Sequence, residues 1–396
     1  MLHIPDLGER TLVRAADAVL AVASTIVRPF TRRSAGGGNG PRRILLLRLE
    51  RIGDLVMALE AIRDVRALAP AAQIDLVVGS WNAALAAALP SIDRVETLDA
   101  RWLAREGEGV GMPGLLRAAR AWRTRSYDLA INFEPDVRSN LVVAAAGAAR
   151  TAGWASGGGG PVLDLALDYD PTTHTAANAR RLVEHVFGRT PPELARPLLA
   201  IPDTATAAAT TRLRPGAGRP LVGVHVSGGR AIKQWPPERF ADVAARLADS
   251  RNAVIVATGA ASDRALVGGL QAALAPRLVI DAATEDGLLV SAAILAQLDL
   301  LVTGDTGPMH LASAVGTPVV AVFGPSDPAR YATRGPADRV VRIDLPCSPC
   351  NRIRRPPERC VGHTPDCLMG ISADAVFAAA ATVLDQSDIR ARIARP

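Results

Sequence analysis

The sequence predicts an α/β protein of two domains, each a parallel sheet flanked by helices. Three observations carry that expectation. The chain has 396 residues, enough for two cores of ordinary size. Short apolar runs alternate with longer helical patterns along most of it. A stretch rich in Pro, Thr and Gly around 188–220 interrupts the alternation and divides it into two series. Hydrophobic residues make up 49%, charged residues 21% and aromatics 4%, which is the profile of an Ala/Val/Leu-rich folding chain and excludes a disordered one.

Element by element, the chain opens with an apolar helix at 15–27, AADAVLAVASTIV, flanked by Arg14, Arg28, Arg32 and Arg33. Asp6, Glu9 and Asp17 argue against a secretory signal. No apolar stretch reaches the roughly 18 to 20 residues of a membrane-spanning helix. Two readings stand side by side: a helix lying on a membrane surface, and one packed on the protein itself. SAGGGNG at 34–40 then forms a break, so residues 1–40 are set apart as helix and linker.

The first series has strands at 42–49, 74–78, 94–98 and 127–133 with Ala-rich helical stretches between, the pattern of right-handed βαβ units. It makes a first Rossmann-like domain at 41–200. The second series has strands at 221–226, 253–258, 299–303 and 318–323 and makes a second such domain at 201–396, closed by a helix near 371–386. In such domains ligands bind at the carboxyl edge of the sheet, so a cleft between two facing edges is the expected site.

Neither GxGxxG nor GxxxxGK[ST] occurs, which removes the usual signals for dinucleotide enzymes and P-loop NTPases. Other turns carry the chemistry. In LLLRLERIGDLVMALEAIRDVR at 45–66, Gly53 and Asp54 sit where a strand enters a helix. A carboxylate there serves as a general base or as a helix cap. In GVHVSGGRAIKQWPPERF at 223–240, Ser227, Gly228 and Gly229 allow close backbone approach, and Lys233 offers a charge to a diphosphate. Thr258, Gly259 and Asp263 line a further turn, suited to a ribose or base, or to turn-and-cap duty alone.

The densest run is LVTGDTGPMHLAS at 301–313. Asp305 is expected to cap the following helix, leaving the amides of Thr306, Gly307 and Met309 for a pyrophosphate, with Pro308 suited to the first turn. His310, one turn in, either reaches the ligand or packs in the core. FGPSDPARY at 323–331 makes another turn at the same edge.

Taken together, three stretches, LLLRLERIGDLVMALEAIRDVR at 45–66, KQWPPERFADVAARL at 233–247 and GDTGPMHLASAVGTPVVAVFGPSDP at 304–328, resemble the heptosyltransferases of glycosyltransferase family nine over residues 42–385. The resemblance implies a GT-B fold, with acceptor held mainly by the first domain and nucleotide-sugar by the second. It implies an inverting transfer of heptose from ADP-heptose to a lipopolysaccharide-core or related lipid-linked glycan. The family's base falls on Asp54, its diphosphate-binding lysine on Lys233, and its donor motif on Asp305, Thr306, Gly307 and His310. Asp263 matches the family's ribose-contacting acid only loosely. No catalytic metal is implied, because cationic and dipolar groups take that role.

All four cysteines lie in one segment, Cys347, Cys350, Cys360 and Cys367, spaced Cys-x2-Cys-x9-Cys-x6-Cys. That pattern reads as a structural zinc site or as disulfides. Because nucleotide-sugars are cytoplasmic, zinc is favoured over unligated thiols, and disulfides come last. His363 is a candidate substitute ligand, and Arg352, Arg354, Arg355 and Arg359 in the same loop form either an acceptor-phosphate contact or a solvated basic surface. The net charge of +6 suits an anionic partner. The expected partners are the nucleotide-sugar, the glycan and the inner face of the cytoplasmic membrane, with peripheral attachment and no nucleic acid. Two alternatives remain: the same fold with another nucleotide-sugar, and a non-catalytic glycan-binding relative, against which Asp54, Lys233 and the 305–310 run argue together.

Overall fold

A computed structural model describes residues 7–31, 40–104, 109–192, 198–353 and 355–393. Apart from Gly40, the expected linker at 34–40 lies outside them, as do Arg32, Arg33 and Arg354. The chain divides into two compact units, Met1–Ala195 and Arg196–Pro396, a few residues ahead of the expected boundary at 200.

The first unit begins with helix α1 (Leu7–Thr31), longer at both ends than the apolar run at 15–27. Its sheet contains β1 (Arg43–Arg48), β2 (Gln73–Val78), β3 (Arg94–Thr97), β4 (Leu129–Asn132), β5 (Arg150–Trp154) and β6 (Leu165–Leu167). The strand order is β3-β2-β1-β4-β5-β6, with every pairing parallel. Ile44, Leu45, Leu46 and Leu47 of β1 are wholly buried, as expected for a central strand covered on both faces. Helix α2 (Ile52–Leu68) follows β1 directly, and it packs against helix Thr175–Phe187.

The second unit repeats the plan with β7 (Leu221–His225), β8 (Val254–Ala260), β9 (Val279–Thr284), β10 (Leu300–Gly304), β11 (Val319–Val322) and β12 (Arg339–Val341). Its order is β12-β11-β10-β7-β8-β9, again all parallel. The short helix expected near 188–220 is Asp203–Leu213, and the last helix runs over Ala373–Ile393, past its expected end at 386. In each sheet the strand order reverses beside the first strand, between β1 and β4 and between β7 and β10. Loops leaving neighbouring strands diverge there, and that opening at the carboxyl edge is where α/β folds place ligands.

Candidate functional site

In the second unit the two loops at the reversal meet. The loop after β7 carries Ser227, Gly228 and Gly229, the last at φ +65°, a left-handed backbone that suits glycine. A Cβ on Gly228 would stand 2.9 Å from the Gln234 backbone, so this loop folds back tightly on itself. Two residues past Lys233, Trp235 is fully buried, edge-on to Phe240 at 4.8 Å, and its indole N–H donates to the Ile371 carbonyl at 3.2 Å. The buried ring fixes the stem from which Lys233 extends. The Lys233 ammonium then lies 2.6 Å from the Asp305 carboxylate, which follows β10.

That pair corrects the expected role of Asp305. The residue preceding helix Gly307–Val315 is Thr306, and no side chain caps the helix. A charge-assisted bond is worth about 1.5–3 kcal/mol and a cap about 1, so the carboxylate stays with the ammonium. The Thr306 hydroxyl turns to that of Thr303 at 3.1 Å. The first-turn amides of Gly307 and Met309 therefore have no side-chain acceptor over them, while Pro308 has no amide to satisfy. His310 is buried, 8% exposed, in line with the packing alternative.

The turn after β8 stands as turn and cap. The Asp263 carboxylate accepts from the Ala260 amide at 2.9 Å, and Thr258 is buried with Gly259 beside it. Next to it lies His225, which the sequence did not single out. Burial pulls this imidazole below its ordinary pKa, so it is neutral near pH 7, with Nδ1 donating to the Thr258 carbonyl at 3.1 Å.

In the first unit, Asp54 stands three residues after Arg51, the residue that precedes α2, and its carboxylate reaches back to accept from the Arg51 amide at 3.1 Å. The cap role is thus real, yet the side chain keeps 30% exposure. Behind it lies Arg48, 3% exposed, which sequence reasoning passed over as a strand residue. Its guanidinium meets the Glu50 carboxylate at 3.1 Å and that of Asp54 at 3.5 Å, and donates to the carbonyls of Phe133 at 2.7 Å and Asp54 at 3.2 Å. Burial alone lowers the pKa of Arg48; the carboxylates of Glu50, Asp54 and Glu134 outweigh it and hold the group above its usual value. Glu134, also buried, accepts from the amides of Leu49 and Glu50 and from the Ser139 hydroxyl. Burial pushes its carboxyl above the ordinary range, against the pull of Arg48. A signal for Arg48 existed, a cation directly closing the apolar run 44–47, which is buried only when paired. Arg51 covers Trp81 at 4.9 Å and Arg138 covers Trp102 at 4.1 Å, fixing the surrounding loops.

The cysteine segment is stitched to the loop after β11: Ser348 donates to the Gly324 carbonyl at 2.7 Å, and the Asn351 amide to that of Pro325 at 2.8 Å. All four thiols are free. Burial pushes the Cys367 thiol up to about 11, with Cys350, Cys347 and Cys360 adding in the same direction. Among the described residues no three His, Cys, Asp or Glu side chains are gathered to hold a metal ion, so zinc would have to draw the thiols together. His363 does not fit as a ligand, because its ring nitrogens face the carbonyls of Thr364 at 2.9 Å and Arg359 at 2.5 Å. Both contacts favour the protonated ring and raise its pKa. Arg352, Arg355 and Arg359 are exposed on this loop.

The profile described as "Glycosyltransferase family 9 (heptosyltransferase)" matches residues 115–360, well over half the chain. The chain belongs to glycosyltransferase family 9. It is a glycosyltransferase. Lipopolysaccharide heptosyltransferase 1 of Pseudomonas aeruginosa is 27% identical over 329 residues, covering 78% of this chain and 86% of that protein. Lipopolysaccharide heptosyltransferase 2 of Escherichia coli is 25% identical over 314 residues, covering 76% and 88%. Among solved structures, E. coli ADP-heptose lps heptosyltransferase II superposes with a TM-score of 0.70 at 21% identity, covering 87% of this chain and 99% of that one. The family 9 glycosyl transferase of Veillonella parvula gives 0.74 at 24%, covering 87% and 98%. These structural likenesses establish the GT-B fold expected from the sequence, two Rossmann-like units with parallel sheets.

Proposed function

We propose that this enzyme moves a heptose from ADP-heptose to a lipopolysaccharide-core or related lipid-linked glycan on the cytoplasmic side of the membrane, with inversion. The names of its relatives support the sugar and the acceptor, and the observation that carries the chemistry is the Lys233–Asp305 pair beside an uncapped helix start. Such a site offers a point charge and two free amides to a diphosphate.

In this reading Asp54 takes the proton of an acceptor hydroxyl. The hydroxyl oxygen attacks the anomeric carbon from the face opposite the leaving group. As that bond forms, the bond from the anomeric carbon to the phosphate oxygen breaks, and its electron pair leaves on ADP. Lys233 and the amides of Gly307 and Met309 stabilise the charge growing there, a contribution often larger than that of the base. Ser227 and Gly228 line the phosphates, while Asp263 stays with its own turn. Arg48, buried behind Asp54, holds that carboxylate and its loop in place. The four cysteines are proposed as a structural zinc site with no part in the reaction; one zinc per chain in protein purified without added metal supports this, and near-zero content ends it.

Thermal denaturation with a panel of nucleoside diphosphates and nucleotide-sugars tests the donor, since a ligand that binds only the folded state raises stability by RT ln(1 + [L]/Kd). ADP and ADP-heptose are expected to raise Tm. A shift confined to UDP or GDP compounds would reject the heptose assignment and leave the mechanism standing.

A further inference from the structure

We propose that the outward face of α1 is a docking surface for an anionic lipid bilayer. This goes beyond the sugar-transfer reading and does not depend on it. The helix is committed to the protein along one side only. There the Asp17 carboxylate accepts from the Gly159 amide at 2.6 Å, and Val13 closes over Gly158, where an added Cβ would come within 2.4 Å of its methyl. Gly158 has φ +90°, so this close approach depends on its being glycine. Leu20 and Ser24 share that half-buried side.

The opposite side carries Leu12, Val19 and Val22, which are 73%, 69% and 64% exposed, with Ala15, Ala16 and Ala23 between them. At 100° per residue these six fall within an arc of about 120°. No charged side chain interrupts it. A helix resting on its own protein ordinarily turns its polar side to solvent, and here that side is apolar.

The occupant follows from size and charge. The described part of the helix contains no window long and apolar enough to cross a membrane. A second copy of the chain needs about 20–30 residues a side for a stable interface, far more than this strip offers. A lipid surface needs only a narrow apolar strip with cations beside it. Arg14 is exposed on the flank between the strip and the docked side, the five arginines Arg10, Arg14, Arg28, Arg32 and Arg33 outnumber the three acids Asp6, Glu9 and Asp17 over residues 1–33, and Asp17 is turned inward onto Gly159.

The test is sedimentation of the full chain with vesicles of pure phosphatidylcholine and of phosphatidylcholine mixed with phosphatidylglycerol. The expected result is binding to the anionic vesicles, weakened by added salt, with the partition coefficient falling at least about tenfold in the triple variant Leu12→Ser/Val19→Ser/Val22→Ser. Because these side chains leave no core, the variant should keep the parent Tm and ADP response, and Arg14→Glu gives a second, milder loss. Failure to bind anionic vesicles overturns the proposal. So does unchanged binding by the triple variant, or a dimer in sedimentation velocity that the variant abolishes, which would make the strip a contact between copies.

Discussion

Replacing Lys233 by alanine separates two jobs that one side chain performs. The first is structural: Asp305 is 8% exposed, and without its ammonium partner the carboxylate is left almost buried and unpaired. Breaking a fully buried pair costs about 3–5 kcal/mol; Lys233 retains 20% exposure, so about 2–3 kcal/mol is the sounder figure here. For a unit the size of Arg196–Pro396 that corresponds to roughly 5–10 °C in Tm. The second job is binding. Loss of one charge-assisted contact to a diphosphate removes about 1.5–3 kcal/mol, or roughly 10- to 150-fold in the Kd for ADP. The double variant Lys233→Ala/Asp305→Ala tells them apart, because it removes the orphaned carboxylate without restoring the cation. Calorimetric melting and ADP titration of both variants are expected to show Tm largely recovered in the double variant and ADP affinity still low. An ADP affinity unchanged in Lys233→Ala would refute the phosphate assignment. A double variant no more stable than the single would refute the account of the pair.

Asp54→Asn should lower kcat by about 10²- to 10⁴-fold while leaving ADP binding intact; unchanged transfer would remove Asp54 from the role of base. Arg48→Ala removes the buried cation that faces Glu50, Asp54 and Glu134 and, with Glu50 and Asp54 part-exposed, should cost about 2–4 kcal/mol, read as a Tm loss of roughly 5–10 °C, with partial recovery in Arg48→Lys, whose point charge cannot reach all four partners; a shift below about 2 °C would show that the network contributes little. In metal-free protein, with its thiol pushed up to about 11, Cys367 should react with iodoacetamide far more slowly than exposed Cys347 at pH 8, and its labelling rate should climb with pH toward that value. The sign for stability runs the same way: the fold favours the neutral thiol, a contribution present below the ordinary thiol pKa and lost as pH rises toward about 11. Equal labelling rates for Cys367 and Cys347 would contradict this placement.

The central strands were legible because each holds an unbroken apolar run, as a sheet covered on both faces demands: ILLL at 44–47 and LLV at 300–302 are examples. Of the outer strands only β3 was read, at 94–98. RTAGW at 150–154, LAL at 165–167, VIDAAT at 279–284 and RVV at 339–341 are short, or carry Gly, Asp or Ala, and pair on the strength of their neighbours rather than of their own propensity. At the site, Asp54, Lys233 and Asp305 stood out as charges at strand-to-helix turns. Their partners did not, since the bond between Lys233 and Asp305 joins residues far apart in the chain, and Arg48 reads locally as the last residue of a strand. His225 and Glu134 were hidden for the same reason: each matters through what tertiary packing brings against it.

The reversal of strand order beside β1 and beside β7 also bears on how the enzyme comes apart. Backbone amides in the middle of a buried sheet exchange with solvent only in the rarest openings, whereas those of outer strands exchange in frequent local ones. Asp54 hangs on β1, and Lys233 and Asp305 on β7 and β10, all flanked by strands on both sides. Fraying at β3, β6, β9 or β12 therefore leaves these loops anchored, and the capacity to grip a diphosphate should outlast the loss of the sheet margins as the protein is warmed.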